Sequence, residues 1–357
     1  MHPGFDLANG PGLPSPGKGL LEIPVDPSLP ALGILRSTGL ADAIPGIQFG
    51  DRPLELQLLN YVPGARATFE VRSGDRRFAI KFYAEDPTSE ARLYEKLARV
   101  GLASNSGPRA PRLVAWDPEL RMIATSWLDG PTARHILKEG QGARAGHLAA
   151  QWLCHPRRRR VKLGPPRGRT YGLYQAGLAA GALSAANPSL GAAAKGVAKV
   201  LLQEKIRERA TLVHGTLYDR HILDLGDGPG VIDWQQFGQG PAELDGGMFL
   251  ATISRTALRR PSAAIEATHA NEAFVEEAGG LLDHRLLEWY WSVCLLHLAA
   301  SGLRTGRRRE PAPGAKELVE EAARHARSVA GGGSGASIEA LSPGLGMENE
   351  RTGGARP

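Results

Sequence analysis

LVHGTLYDRHILDLGDGPGVIDWQQFGQGPAELDGGMF, residues 212–249, is the stretch on which the reading of this chain turns. With Thr211 just before it, it carries three short β-type runs, TLVHG from Thr211, HILDL from His221 and GVIDW from Gly230, separated by Gly-rich turns. The surrounding sequence, from Gly130 to about Ala330, is helical in its periodicity, so residues 211–235 form an island of strand and loop inside a helical body. Such islands are where chemistry is carried, because loops fixed by rigid elements can aim polar groups that a packed helix must hide. Its polar residues include His214, Thr216, Asp219, His221, Asp224, Asp227 and Asp233. Asp224 and Asp227 flank the middle turn and read as turn formers. Asp233, at the end of an apolar run, offers hard oxygens suited to a divalent cation.

Upstream, the runs LELQLLNYV, ATFEVRS and RFAIKFY alternate and are broken by PGA and GD, which predicts three consecutive antiparallel strands from Leu54. TSEARLYEKLARV, residues 88–100, places Leu93, Tyr94 and Leu97 on one helical face, with Thr88 or Ser89 as N-cap. RLVAWD and RMIATSWL add two strands joined by a turn at Pro118. Lys81 sits between apolar neighbours in FAIKFY, so its ammonium must reach an anion or become a costly buried charge. Glu90 on the following helix is the expected partner, with Glu95 the alternative.

Downstream, TARHILKE, ARAGHLAAQWLCH, TYGLYQAGLAAGALSAA and GAAAKGVAKVLLQEKIRER all recur at three and four residues. The expected organisation is a Pro/Gly-rich, irregular leader over 1–50, a sheet-bearing lobe over 51–128, a helical lobe over 129–330 and a disordered tail over 331–357.

Among 357 residues, 42% are hydrophobic, enough to bury a sizeable core. The net charge of +6 favours anionic ligands. The densest basic run, Arg157 to Arg160 with Lys162, Arg167 and Arg169, has no interleaved aromatics and reads as a solvated loop, so no nucleic-acid partner is expected. Cys154 and Cys294 lack CxxC spacing and read as buried spectators. No signal-peptide pattern follows Met1, and LLEWYWSVCLLHLAASGL, which contains Glu288 and His297, reads as a buried helix; the expectation is a cytoplasmic protein without a membrane span.

His214-Gly215 followed by Ile232-Asp233-Trp234 resembles the aminoglycoside phosphotransferases and their choline- and homoserine-kinase relatives, which carry H-G-D-x-x-x-x-N and then a strand ending I-D-[WF]. The resemblance spans most of residues 54–300. It implies an α+β, two-lobed protein-kinase-like fold, with a small antiparallel sheet and one helix in the N-lobe and a larger helical C-lobe. It further implies ATP and Mg²⁺, with Lys81 and Glu90 serving the phosphates, Asp233 the metal, and Asp245 a structural role before the next helix. RMIATSWLDG looks like the hinge that receives adenine, which places Ser126, Trp127 and Leu128 at the nucleotide. His214 is expected to hold the loop's shape. No GxGxxG precedes FAIKFY, so the turn YVPGAR, with Arg66, is left to cover the phosphates.

Two positions depart from the pattern. Thr216 stands where the family keeps its catalytic aspartate, and His221 where it keeps the asparagine that helps hold magnesium. A threonine accepts no proton at neutral pH, so a contribution of roughly 10²–10⁴ is missing unless another group supplies it; Asp219 is the nearest substitute. Two functions follow: ATP-dependent phosphoryl transfer to a small-molecule hydroxyl, or a catalytically deficient pseudokinase that binds a nucleotide or a partner.

Overall fold

The computed structural model describes residues 23–40, 44, 47 and 53–331. The expectations for residues 1–22 and for the tail beyond Gly331 lie outside the described residues. Strands β1 (Leu54–Val62), β2 (Arg66–Ser73), β3 (Arg76–Tyr83), β4 (Leu113–Asp117) and β5 (Met122–Ser126) form one sheet in the order β1-β2-β3-β5-β4, with every neighbouring pair antiparallel. The expected five strands and one helix are therefore present, at the expected positions.

Strand alternation decides what each face does. Phe78, Ile80 and Phe82 of β3 and Ala67, Phe69 and Val71 of β2 pack in one apolar cluster. Arg66, Thr68 and Glu70 pair in register with Tyr83, Lys81 and Ala79, so they share the opposite face. That face looks toward helix α2 (Thr88–Arg99), which packs Leu93, Tyr94 and Leu97 beneath it. Lys81 thus lies in the cleft because its neighbours on either side claim the core.

The leader departs from expectation. Its piece PALGILRST forms helix α1 (Pro30–Thr38), and Leu29, Leu32 and Leu35 pack on the apolar face of the sheet. A sheet face bearing three phenylalanines must be covered, and this helix covers it; each buried leucine contributes roughly 1.5–3 kcal/mol. The capping of α2 also differs: Thr88 and Ser89 lie inside the helix, Pro87 occupies the cap position, and Asp86 Oδ1 accepts from Thr88 N at 2.9 Å. A carboxylate before the helix serves the free amide better than a hydroxyl within it.

The second lobe contains α3 (Ala133–Lys138), α4 (Gly142–Cys154), α5 (Arg169–Ala186), α6 (Pro188–Gln203), α7 (Ala242–Arg259), α8 (Ala264–Ala278), α9 (His284–Ala299) and α10 (Ala315–Gly331). Helix α6 stops six residues short of the expected end, and Glu204 is extended. The terminal carbonyls have taken other donors: Arg169 Nη2 bonds Leu202 O and Glu204 O, and Arg285 Nη1 bonds Lys205 O. Helix α9, which contains the most apolar segment, is buried almost throughout, and no described helix is long and apolar enough to cross a membrane. The island folds as two short ladders, β6 (Thr211–Val213) with β9 (Gly238–Gly240) and β7 (Ile222–Asp224) with β8 (Pro229–Val231).

The basic run is solvated at Arg157, Arg159, Arg160 and Lys162, as expected, but not at Arg158. Pro156–Arg160 is a 3-10 turn in which Arg158 is 1% exposed. Its guanidinium bonds Leu153 O, Leu212 O and Asp245 Oδ2 at 2.9, 2.8 and 3.1 Å, which satisfies a charge that burial would otherwise make prohibitive.

Candidate functional site

The cleft between the lobes brings together four charged side chains from four elements. Lys81 Nζ from β3 lies 2.7 Å from Asp233 Oδ1 in the loop after β8, and 3.7 Å from Glu90 Oε1 on α2. Arg66 Nη1, at the start of β2, reaches the same Asp233 oxygen at 3.4 Å. Glu90 is fixed by two phenols, with Tyr83 Oη donating at 2.9 Å and Tyr94 Oη at 3.4 Å. Glu95, the alternative partner, is instead paired on the surface with Arg99. Burial alone would raise the Asp233 pKa, but Lys81, Arg66 and His221 outweigh it and hold the carboxyl well below the usual carboxylate range. Asp233 is therefore an anion at neutral pH. It also adopts φ +68°, a left-handed conformation that aspartate tolerates better than most residues.

The loop from His214 to His221 is held from below. Asp245, in the first turn of α7, accepts from His214 N through Oδ2 at 2.8 Å and from Gly215 N through Oδ1 at 2.9 Å. Arg158 neutralises it from the other side. His214 Nε2 donates to Ile232 O at 2.9 Å, which ties the loop to the residue before Asp233. That bond leaves Nδ1 as the acceptor for Thr216 N at 3.3 Å. His214 is fully buried, and burial lowers its pKa, so it is a neutral brace.

Gly215 has φ +80°, and a Cβ there would stand 2.2 Å from Gln236 O. Gly215→Ala should therefore destabilise the protein by at least about 2 kcal/mol, combining left-handed strain with an overpacked contact. A urea midpoint equal to that of the unsubstituted protein would contradict this.

The expected site residues divide into two groups. Lys81, Glu90, Asp233 and His221 converge, and Thr216 is joined to them because its carbonyl accepts from His221 Nδ1 at 2.9 Å. His221 Nε2 faces Asp233 Oδ2 at 3.4 Å, while burial and nearby Arg220 push the imidazole pKa well down. Asp219 is engaged elsewhere. Both of its oxygens bond Arg134, Oδ2 also accepts from Thr256 Oγ1 at 3.1 Å, and the residue is fully buried. Asp224 and Asp227 stand in their turn and tie it to Arg144 and Arg109.

At the hinge, Ser126 N donates to Arg112 O at 2.8 Å and Trp127 N to Arg77 O at 3.3 Å, with the Arg77 guanidinium stacked on the Trp127 ring. Leu128 is half-buried and lies against Gly230. At the YVPGAR turn, Gly64 N donates to Asp26 Oδ2 at 2.7 Å, so a leader carboxylate takes an amide that a phosphate-covering turn would offer. The Arg66 side chain, not that amide, faces the cleft's charged centre. Beside Arg66 and Glu90 opens a cavity of about 310 Å³, also lined by Asp86, Arg167, Gln236 and Phe237.

Sequence reasoning missed Arg158, Arg134 and Asp26. No local pattern announces them, since each matters through a partner at least 38 residues away.

The family model described as "Phosphotransferase enzyme family" (APH) matches residues 62–280. Among solved structures, a thermostable mutant of aminoglycoside phosphotransferase APH(4)-Ia in ternary complex with AMP-PNP and hygromycin B aligns at TM-score 0.55 and 17% identity, covering 78% of this chain and 95% of that one. The choline kinase LicA from Streptococcus pneumoniae aligns at 0.53 and 11%, covering 81% and 97%. A choline/ethanolamine kinase family protein from Mesorhizobium loti aligns at 0.52 and 18%, covering 78% and 93%. At these identities the likeness speaks for the fold. No curated protein matches the chain.

Proposed function

Because the chain belongs to the phosphotransferase enzyme family, we propose that it binds ATP with a divalent cation in the interlobe cleft and passes the terminal phosphoryl group to a small-molecule hydroxyl, slowly for want of a carboxylate base. The observation that carries this reading is the meeting of Lys81 and Asp233 at 2.7 Å across the lobes, with Arg66 on the same oxygen. Two cations balanced on one carboxylate form a site ready to exchange that carboxylate for phosphate oxygens. Lys81 and Arg66 hold the phosphates, and Glu90 keeps Lys81 aimed. Leu128 is the hinge residue left to meet adenine, since the amides of Ser126 and Trp127 are bonded within the N-lobe.

The donor set fits a divalent ion only in part. Asp233 supplies hard oxygen, but His221 supplies nitrogen where Mg²⁺ prefers oxygen. Among the described residues no three His, Cys, Asp or Glu side chains converge on one point, which suits an ion held jointly by protein and nucleotide. When bound, such an ion neutralises charge on the phosphates.

No carboxylate of the loop is placed to take the acceptor's proton. Thr216 is a hydroxyl, Asp219 is bonded to Arg134 and Thr256, and His214 is buried with both ring nitrogens engaged. Phosphoryl transfer relies chiefly on positioning and electrostatics, so this loss slows the reaction without abolishing it. The acceptor fits the cavity beside Arg66, whose lining mixes Arg66 and Arg167 with Glu85, Asp86 and Glu90. That mixture gives no special preference for a polycation.

The substitutions at Thr216 and His221 equally favour a second reading, a pseudokinase that binds nucleotide without turnover. Measuring ATP binding and transfer to a panel of hydroxyl acceptors, for the native chain and for Thr216→Asp, separates the two. Slow native transfer that rises about 10²-fold or more in Thr216→Asp, at similar ATP affinity, supports the enzyme. Binding with transfer only in the variant supports the pseudokinase, and absence of binding in both defeats both readings.

A further inference from the structure

We infer that the metal position beside Asp233 selects a first-row transition dication such as Mn²⁺ over Mg²⁺, because His221 delivers an imidazole nitrogen to it. This rests on the nucleotide-and-metal reading above and names the ion.

The argument begins at the other ring nitrogen. His221 Nδ1 lies 2.9 Å from Thr216 O, and a carbonyl can only accept, so Nδ1 carries the hydrogen. The lone pair of the neutral ring is therefore on Nε2. That atom faces Asp233 Oδ2 at 3.4 Å. The carboxylate's other oxygen, Oδ1, already meets Lys81 and Arg66, so the two functions of Asp233 fall on separate atoms.

Rotation cannot withdraw the nitrogen. The ring is 3% exposed and packs against His214 at 5.4 Å and edge-on to Tyr218 at 5.1 Å between centroids. Turning it over would also surrender the bond to Thr216 O. Two ligands each about 2.1 Å from one ion, at roughly 90–105°, stand about 3.0–3.4 Å apart, so the observed pair is spaced as adjacent ligands. One imidazole and one carboxylate would give a bound ion a mixed nitrogen and oxygen set, with phosphate oxygens and water left to complete it. Magnesium gains little from an imidazole, whereas manganese and the later ions of the row gain progressively more.

The sequence signal is the single exchange at position 221, where the family pattern has an amide oxygen. The exchange does more than weaken a magnesium contact, because the hydrogen bond at Nδ1 is the support that a ligating histidine ordinarily has on its non-ligating nitrogen.

The test uses the full chain with AMP-PNP as probe. Nucleotide affinity is measured by calorimetry with Mn²⁺ and with Mg²⁺, for the native protein and for His221→Asn, and the Mn²⁺ complex is examined by pulsed EPR for coupling to a ligating nitrogen. The native protein should prefer Mn²⁺–nucleotide by tenfold or more over the preference of the free nucleotide, and should show imidazole nitrogen coupling. In His221→Asn both should vanish. The EPR signature is read in the unsubstituted protein, so the inference does not depend on the variant folding. Nucleotide binding with no metal preference and no nitrogen coupling overturns the inference, leaving His221 and Asp233 an ion pair only. No nucleotide binding with either ion overturns the parent reading, and the inference falls with it.

Discussion

Asp233→Asn lowers kcat/KM for phosphoryl transfer by on the order of 10³ and removes the metal dependence of nucleotide binding, while the protein stays folded. Asparagine is the informative replacement because it matches the shape of aspartate and accepts the φ of +68° at this position. The backbone is thus undisturbed, and only the charge is lost. Without that charge Lys81 and Arg66 lose the anion they share. Metal-free nucleotide should bind at least as well as before, since Lys81, left with Glu90 alone, and Arg66 then face its phosphates, whereas the metal complex should bind more weakly. Calorimetry with and without divalent ion measures this directly, and circular dichroism confirms the fold. Retention of metal-dependent binding would show that the ion sits elsewhere.

Asp245→Ala has the largest expected effect on stability, about 3–5 kcal/mol. The carboxylate bonds the amides of His214 and Gly215 and carries the counter-charge of Arg158, all in a region closed to water. Its removal strands a guanidinium that is 1% exposed and leaves two buried amides without acceptors. Urea denaturation checks the figure, and a loss below about 1 kcal/mol would mean that water enters and solvates the group. Because the same carboxylate shapes the loop bearing Thr216, whatever folded protein remains should also have lost nucleotide affinity.

How far the sequence disclosed this arrangement depended on the range of the interaction. The strands were legible because burial on one face imposes alternation, and Lys81 stood out as a charge within that alternation. The His214-Gly215 and Ile232-Asp233-Trp234 pieces were legible because their spacing is local. Arg158 was not. Within four consecutive arginines it reads as solvent-facing, and only the folded chain brings Leu153 O, Leu212 O and Asp245 to it. Asp219 was open as a substitute base for the same reason, since Arg134 lies 85 residues away. The leader helix was hidden by its short length and by the glycines and prolines around it, although its leucines are spaced to cover the sheet. Ser126 ends β5 and Trp127 follows it, and the occupation of their amides by Arg112 O and Arg77 O depends on how β5 sits between its neighbours, which no sequence pattern specifies.

The most direct test of the account is a crystal structure of the full chain with AMP-PNP and a divalent ion. The account predicts phosphate oxygens within hydrogen-bonding distance of Lys81 and Arg66, the ion on Asp233, and the 2.7 Å contact between Lys81 and Asp233 opened to admit them. A cleft that stays closed on that contact at saturating nucleotide, or nucleotide bound away from both residues, would contradict it.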